Sequence, residues 1–490
     1  MKSQAEIILK GFNPDPSIIF DGEFFWCTTS TFEYFPGLPL YKSKDGIKWS
    51  FETYILSTPE QLNLINAENS KGGIYAATLR FHNGTYYAIT TNKNIGWNFL
   101  VSSSSPYGPW SNPKLIRKNG IDPSLFFDDD GSCFYTSNGL VDGVRGILGA
   151  KINPENGELL EKERILTEGI SKVATEAPHI YKKDGWYYLF FAEGGTGMGH
   201  HECVMRARSL YGEWEYMGKP LLSNVNRKDY ILHATGHMDI VEGRENKWIG
   251  VFLGIRIPNK PILHQLGRES FKVDIEWNNG WPEIKGGMEV DLSPVSSSSL
   301  IVDFSKDIER YPFEKLRVPN HSLYIQNREK RTISLVSSDL LLTERGTPTM
   351  LLLRQMDFSS LFKAYISLDD LEGRGGIVAW FTNDYYYRII VERDEDETIV
   401  SSSLRVHGFE AVKETKRVNK REGKIELSIL TSPSSYSFFA DGINLGSASY
   451  AGLCPEGAMY MTFTGTMLGI WSEEGSCSFI DEISLEGQEQ

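Results

Sequence analysis

The chain has 490 residues, of which 40% are hydrophobic and 23% charged, with a formal net charge of −14. That length favours two domains, and the negative charge argues against nucleic acid or an anionic membrane surface as a partner. No run of about 18 apolar residues and no signal-like N-terminus occurs, and Cys27, Cys133, Cys203, Cys454 and Cys477 show no metal-ligand spacing, so a cytoplasmic protein with reduced thiols is expected.

The first predicted unit is "DPSIIFDGEFFW" from Asp15: an acid between two prolines, an apolar strand, an Asp-Gly turn and an aromatic strand. The same pattern returns as "AATLRFHNGTYYAI" from Ala76 and "DPSLFFDDDGSCFY" from Asp122. It returns again as "EAPHIYKKDGWYYLFF" from Glu176 and "HMDIVEGRENKWIGVF" from His237, at intervals of 46 to 61 residues. Each unit carries a polar turn of the kind that joins hairpin strands. A tryptophan-ended element, "SKDGIKW" at Trp49, "SPYGPW" at Trp110 and "SLYGEW" at Trp214, reads as the outer part of a blade. Repeats of this length with scarce helical periodicity predict an all-β, five-bladed β-propeller rather than one long β-sandwich or β-helix.

In a propeller the leading residues of the innermost strands face one pit, which places Asp15, Ala76, Asp122, Glu176 and His237 together. One aspartate ahead of a strand is usually a turn or a cap. Three carboxylates in one column suit cleavage of a glycosidic bond, with one acid protonating the leaving oxygen and another handling water or the sugar carbon. Crowding separates their pKa values, and the longer arm of Glu176 favours it as the proton donor. Phe32, Tyr34, Phe35 and Tyr75 offer faces to a sugar ring, although aromatics are also ordinary core material. The run "FFDDDGS" is the one local calcium-like loop and reads more simply as a solvated turn.

From about Trp281 the repeat stops. "PEIKGGMEVDLSPVSSSSLIVDF" reads as a linker, with Ser296–Ser299 as its flexible part. Segments such as "GGIVAWF", "YYYRIIVE" and the Asp441-Gly442 hairpin predict an antiparallel β-sandwich. The expected domains are a catalytic propeller over 1–290 and a β-sandwich packed on it over 305–490.

The segments "NPDPSIIFDGEFFW", "GGIYAATLRFHNGTYYAITT", "GIDPSLFFDDDG", "TEAPHIYKKDGWYYLFFAEGGTGMGH", "ATGHMDIVEG" and "LGRESF" together strongly resemble glycoside hydrolase family 43. These are β-xylosidases and α-L-arabinofuranosidases on a five-bladed propeller, and the likeness covers roughly 8–290. It continues more weakly through "GGIVAWFTNDYYYRIIV", "FTGTMLGIW" and "FIDEISL", which look like the β-sandwich appended in one branch of the family. The resemblance implies an inverting exo-glycosidase that releases a terminal pentose, β-D-xylose or α-L-arabinofuranose, from short xylan- or arabinan-derived oligosaccharides. Asp15 would be the general base, Glu176 the general acid, and Asp122 the residue that orients Glu176 and keeps its pKa raised.

By the same resemblance Phe32, Tyr75, His237 and Arg256, the last in "FLGIRIP", would contact substrate, and Phe463 in "FTGTM" would close the pit from the second domain. No cofactor is required. A structural, hydrated Ca2+ near the axis, beside His237, is known in some relatives, and a homo-oligomer is compatible with the likeness. The sequence departs from the common pattern at Ala177, where glycine is usual, at Tyr75, where tryptophan is frequent, and at Ala77, where proline is. The alternative from another class is a catalytically silent propeller that binds pentose-containing oligosaccharides.

Overall fold

Short apolar strands joined by polar turns bury both faces only by stacking sheet on sheet, and the first part of the chain does so around an axis. The structure, a computed structural model, describes residues 3–258, 263–394, 397–420 and 422–488. Four antiparallel sheets of four strands follow in chain order. Blade 1 is Ser17–Phe20, Phe25–Thr28, Gly37–Ser43 and Ser50–Leu56, and blade 2 is Ile74–His82, Thr85–Asn92, Trp97–Ser103 and Lys114–Lys118. Blade 3 is Ile121–Phe127, Cys133–Val141, Val144–Ile152 and Arg164–Thr167, and blade 4 is Glu176–Lys183, Trp186–Glu193, His201–Ala207 and Glu215–Tyr216. Trp49, Trp110 and Trp214 each stand just ahead of the outermost strand of their blade, as their spacing suggests.

Blade 5 is built from both ends of the propeller sequence. Leu232–Glu242, Trp248–Arg256 and Glu269–Asn278 supply its inner strands. The N-terminal strand Ser3–Leu9 then pairs with Glu269–Asn278 on one side and, in parallel, with Val290–Leu292 on the other. The ring is therefore closed by hydrogen bonds between the start and the end of the propeller sequence, within blade 5.

At the top of the innermost strands the backbone kinks in the same way in four blades. Asp15, Asp122, Ala177 and His237 all have left-handed backbone, with φ of 56°, 54°, 55° and 55°. The strand registers shift beside these positions, between Ile121 and Ser124, Glu176 and His179, and Gly236 and Asp239. Such bulges re-aim side chains at the rim of a sheet. The repeat consequently lines up one residue differently from the sequence reading: the column member in blade 4 is Ala177, and Glu176 stands one position ahead of it.

Two residues further along, the strands meet on the axis. Asp239 is fully buried and accepts hydrogen bonds from Ser17 Oγ at 2.5 Å, from the Ile18 N–H at 3.1 Å and from Tyr181. Arg80 clasps it with two N–H groups, at 2.9 and 3.2 Å. Burial alone would raise this carboxyl, but Arg80, His179 and these hydrogen bonds hold it at about 2. The axis beneath the pit is thus filled by an ionic plug.

Beyond Leu292 the strands are again antiparallel, and the long strand Met467–Gly487 pairs with five others across the domain. Phe362, Ile377, Ile389, Leu427, Phe438 and Ile470 lie in its core. The serine run expected to be flexible is instead tied down. Lys10 donates to the Ser296 carbonyl and to Ser298 Oγ, and the Ser298 N–H donates to Asp357 at 2.8 Å.

The two domains share a small sheet, Lys315–Leu316 against Tyr34–Phe35. Next to it Arg317, 1% exposed, binds Glu33 Oε2 at 2.5 Å, Asn69 Oδ1 at 2.6 Å and the Ala67 carbonyl at 2.9 Å. Removing one partner of a buried pair strands the other charge, at a cost of about 3–5 kcal/mol. Arg317→Ala is expected to lower the thermal unfolding midpoint accordingly, and a midpoint equal to wild type would show that water replaces the guanidinium freely.

Candidate active site

The kinked tops of the innermost strands surround a pit of about 420 Å3, including its open mouth, lined by Asp15, Asp122, Glu176, His237, Arg268 and the ring of Phe463, among others. Larger clefts occur elsewhere on the surface, but this pit is where the three carboxylates converge.

Asp15 is 4% exposed and has both oxygens engaged. Ser30 Oγ donates to Oδ2 at 2.6 Å, and Arg268 Nη1 donates to Oδ1 at 2.8 Å. His237 Nδ1 lies 3.7 Å from the same Oδ1. Burial by itself would push this carboxyl up, yet the charge of Arg268, then the nearby His237 imidazole and the Ser30 hydrogen bond, hold it below the usual aspartate range. Asp15 is a carboxylate at neutral pH.

Asp122 and Glu176 behave in the opposite way. Burial raises Asp122 well above its ordinary value, with the charges of Glu176 and Asp15 adding to the effect. Burial and then Asp15 push Glu176 up to about 7, against the opposing pull of Arg268. The two neighbouring acids titrate as one system and share a proton near neutral pH. The Ala177 N–H donates to Asp122 Oδ2 at 3.1 Å; a donor to a carboxylate favours its charged form and so opposes part of the burial that raises Asp122.

Aromatic rings form one wall. Phe32 packs against Tyr75 at 5.2 Å and against Phe463 at 5.5 Å between ring centroids. Arg268 sits 5.6 Å from the Phe32 ring and 5.7 Å from that of Phe463, fixing its guanidinium over both. The Tyr75 hydroxyl is turned away from sugar chemistry and donates to the Lys71 carbonyl at 2.7 Å. Phe463 comes from the sandwich: its N–H donates to the Ser70 carbonyl at 2.8 Å, and the neighbouring Thr464 hydroxyl meets that of Ser70. The chain passes so closely that a Cβ at Gly465 would lie 2.3 Å from the Leu266 carbonyl oxygen.

Arg256 is placed elsewhere. It forms a buried two-pronged pair with Glu269, at 2.5 and 2.8 Å, and its guanidinium stacks on Phe358. It holds blade 5 against the second domain, while the arginine in the pit is Arg268 of "LGRESF". Thr196 and His200 of "GGTGMGH" also line the pit and were not singled out by the sequence reading.

His237 faces the pit as expected, and burial lowers its pKa, so the ring is neutral. A calcium ion needs several oxygen ligands. Here the oxygens of Asp15 are held by Arg268 and Ser30, and those of Asp239 by Arg80, Ser17 and Tyr181. Beside His237 the Glu202 carboxyl accepts from the Met238 N–H at 3.0 Å and keeps its Oε1 without a partner, but burial raises it well above its ordinary value, which favours the neutral acid over a calcium-binding carboxylate.

Comparison with known proteins places this architecture. Residues 5–282 match the model for glycosyl hydrolases family 43, and residues 302–477 match the beta xylosidase C-terminal Concanavalin A-like domain. The non-reducing end alpha-L-arabinofuranosidase BoGH43B of Bacteroides ovatus is 33% identical over 487 residues, covering 95% of this chain and 90% of that protein. A xylosidase/arabinosidase of Butyrivibrio fibrisolvens is 34% identical over 419 residues, 80% of each chain. Among solved structures, Bacteroides ovatus Xyloglucan PUL GH43B superposes with a TM-score of 0.91 at 30% identity, covering 99% of this chain and 100% of that one. The xylan beta-1,4-xylosidase of Bacillus halodurans C-125 superposes with a TM-score of 0.89 at 26% identity, with coverage of 99% and 100%. The acids of the pit and these matches along nearly the whole length lead to one conclusion: the chain belongs to glycosyl hydrolases family 43, and it is a glycoside hydrolase.

Proposed function

We propose that this enzyme releases a terminal pentose, β-D-xylose or α-L-arabinofuranose, from short xylan- or arabinan-derived oligosaccharides, and that it inverts the anomeric centre in a single displacement by water. The observation that supports it most is the split between an ionised Asp15 and a protonated Asp122–Glu176 pair within one small pit. Asp15 takes the proton of the attacking water, and Glu176 gives its proton to the departing oxygen. Arg268 holds Asp15 in place and keeps it charged. Phe32, Tyr75 and Phe463 stack against the sugar, and Phe463 closes the pit at one side, which suits removal of one terminal unit. The relatives named for arabinofuranosidase and xylosidase activities support the pentose. Five buried free thiols suit a reducing compartment, so the oligosaccharides would be met in the cytoplasm.

Turnover of aryl β-D-xyloside and aryl α-L-arabinofuranoside, with NMR of the earliest product, tests this reading. It expects hydrolysis of at least one and an initial product of the opposite anomeric configuration. Retention of configuration, or a sugar covalently trapped on a carboxylate, would remove the single displacement. Asp122 gives a finer test. Replacing its charge with Asn relieves the repulsion that keeps the proton on Glu176, so Asp122→Asn should move the basic limb of the pH–rate profile to lower pH and cut turnover. An unmoved basic limb in the folded variant would show that Asp122 does not tune the acid.

A further inference from the structure

Glu193 is completely buried, lies outside the pit and has no part in the chemistry just described. It ends the second strand of blade 4, whose residue Ala192 faces Glu176 across the strand pair. With His201 and Cys203 it brings three metal-ligating atoms within 4.8 Å of one another. Its oxygens are already occupied, however, by donors from a single loop. The N–H groups of Ile170, Ser171 and Lys172 donate to Oε1 at 2.8, 3.2 and 3.2 Å, and Ser171 also reaches Oε2 at 2.9 Å. The Thr175 hydroxyl lies 3.1 Å from Oε1.

Three successive backbone N–H groups wrapped on an anion make a nest, and here the anion is a side chain of the protein itself. The loop has little else to hold it. Ser171, Lys172, Val173 and Ala174 are all exposed, and Lys172 and Ala174 have left-handed backbone with φ of 60° and 48°. Its other anchors are the Gly194 N–H to the Val173 carbonyl at 2.8 Å, the Gly169 N–H to Thr167 Oγ1 at 3.0 Å and the Thr175 hydroxyl to the Glu168 carbonyl at 3.1 Å. The fit is close: a Cβ at Gly169 would lie 2.2 Å from Glu193 Oε1. The loop ends at Thr175, whose carbonyl accepts from Asn138, and the next residue is Glu176.

We propose that Glu193 is a positioning residue for the general acid: its carboxylate organises the 168–175 loop and thereby fixes where Glu176 delivers its proton. This rests on the assignment of Glu176 as the acid. The two sides of Glu176 are then held by different carboxylates. Asp122 binds the Ala177 N–H after it, and Glu193 binds the loop before it. Gln in place of Glu193 keeps the volume but has one acceptor oxygen in place of two, and its NH2 faces N–H donors. Charge-assisted bonds to the nest are lost, the loop drifts, and proton delivery suffers before binding does.

The test compares leaving groups. On an alkyl pentoside, whose oxygen needs a proton to leave, Glu193→Gln is expected to lower kcat by about 10- to 100-fold, the scale of a misplacement near 1 Å. On a dinitrophenyl pentoside of the same sugar, which leaves unaided, the loss should be about threefold or less by the same reasoning. Equal losses on both substrates, or wild-type rates on both, from a folded variant would overturn the proposal. Should Glu193→Gln not fold, Thr175→Val, which deletes one donor to the carboxylate, is judged by the same selectivity. Glu176→Ala, measured alongside, separates the two possible failures. If it lacks leaving-group selectivity, the acid assignment falls and takes the positioning role with it. If it shows selectivity and the Glu193 and Thr175 variants do not, the positioning role alone is wrong.

Discussion

Asp15→Ala should abolish turnover of every pentoside, with kcat/KM reduced by roughly 10^4-fold or more, at the upper end of what a general base contributes. The other carboxyls of the pit do not share its setting, because Asp15 is held ionised by its pairing with Arg268, whereas burial favours the protonated forms of Asp122 and Glu176. The loss should be as severe on a dinitrophenyl substrate as on an oligosaccharide, since both reactions need the water activated. Backbone strain has to be separated from chemistry here, because Asp15 has a φ of 56°, a region that Asn and Asp tolerate better than Ala. Asp15→Asn keeps that tolerance and the side-chain shape but cannot accept the proton. Equivalent inactivity of both variants, with unfolding midpoints near wild type, is the expected result. A folded Asp15→Asn enzyme that retained a tenth of wild-type activity would remove Asp15 as the base.

Glu176→Ala should behave differently by substrate. On oligosaccharides and alkyl pentosides, a loss of about 10^2- to 10^4-fold is expected for a missing general acid, whereas a dinitrophenyl pentoside should keep most of its rate. The pH dependence supplies the second signature. In the wild type, activity is expected to fall as pH rises through about 7, because the proton that burial and Asp15 hold on Glu176 would be lost there. In Glu176→Ala no such proton exists, so the fall on the basic side should vanish for the activated substrate. The acidic limb should remain, because it reports the loss of the Asp15 carboxylate at low pH. A basic limb that persisted unchanged in Glu176→Ala would place the titrating acid elsewhere.

The propeller was legible because each blade must repeat one solution, an apolar strand, a polar turn and an aromatic strand, and that solution leaves the same trace in the sequence each time. Asp15 and Asp122 could be read from their shared "DPS". The one-residue offset of Glu176 could not, because a bulge adds a residue to one strand without any fixed composition. Arg256 and Arg268 show why motif position alone misplaces an arginine. Both are buried in blade 5, and only the pairing of the strands decides that Glu269 faces the first while Asp15 receives the second. Phe463 was found through the family likeness; local pattern carries no sign that a segment so far along the chain packs against Phe32. The serine run misled for a related reason. Its composition suits a linker, but Lys10 and Asp357, both distant in sequence, pin it.

The closing strand of blade 5 has a consequence for how the enzyme comes into being. Ser3–Leu9 leaves the ribosome well ahead of its partners in Glu269–Asn278 and Val290–Leu292, which emerge only after the other blades. Pairing over such a separation is slow to form, and until it does the strand is an unpaired edge in a partly made chain. Asp15 follows that strand by a few residues and is held by Arg268 from the far end of the ring, so the group proposed to activate water lacks its arginine partner before closure. Phe463 arrives later still. A nascent chain is therefore expected to be inert toward glycosides until Arg268 and Phe463 have both been translated, and a nick in either end of the propeller is expected to silence the enzyme without touching an acid.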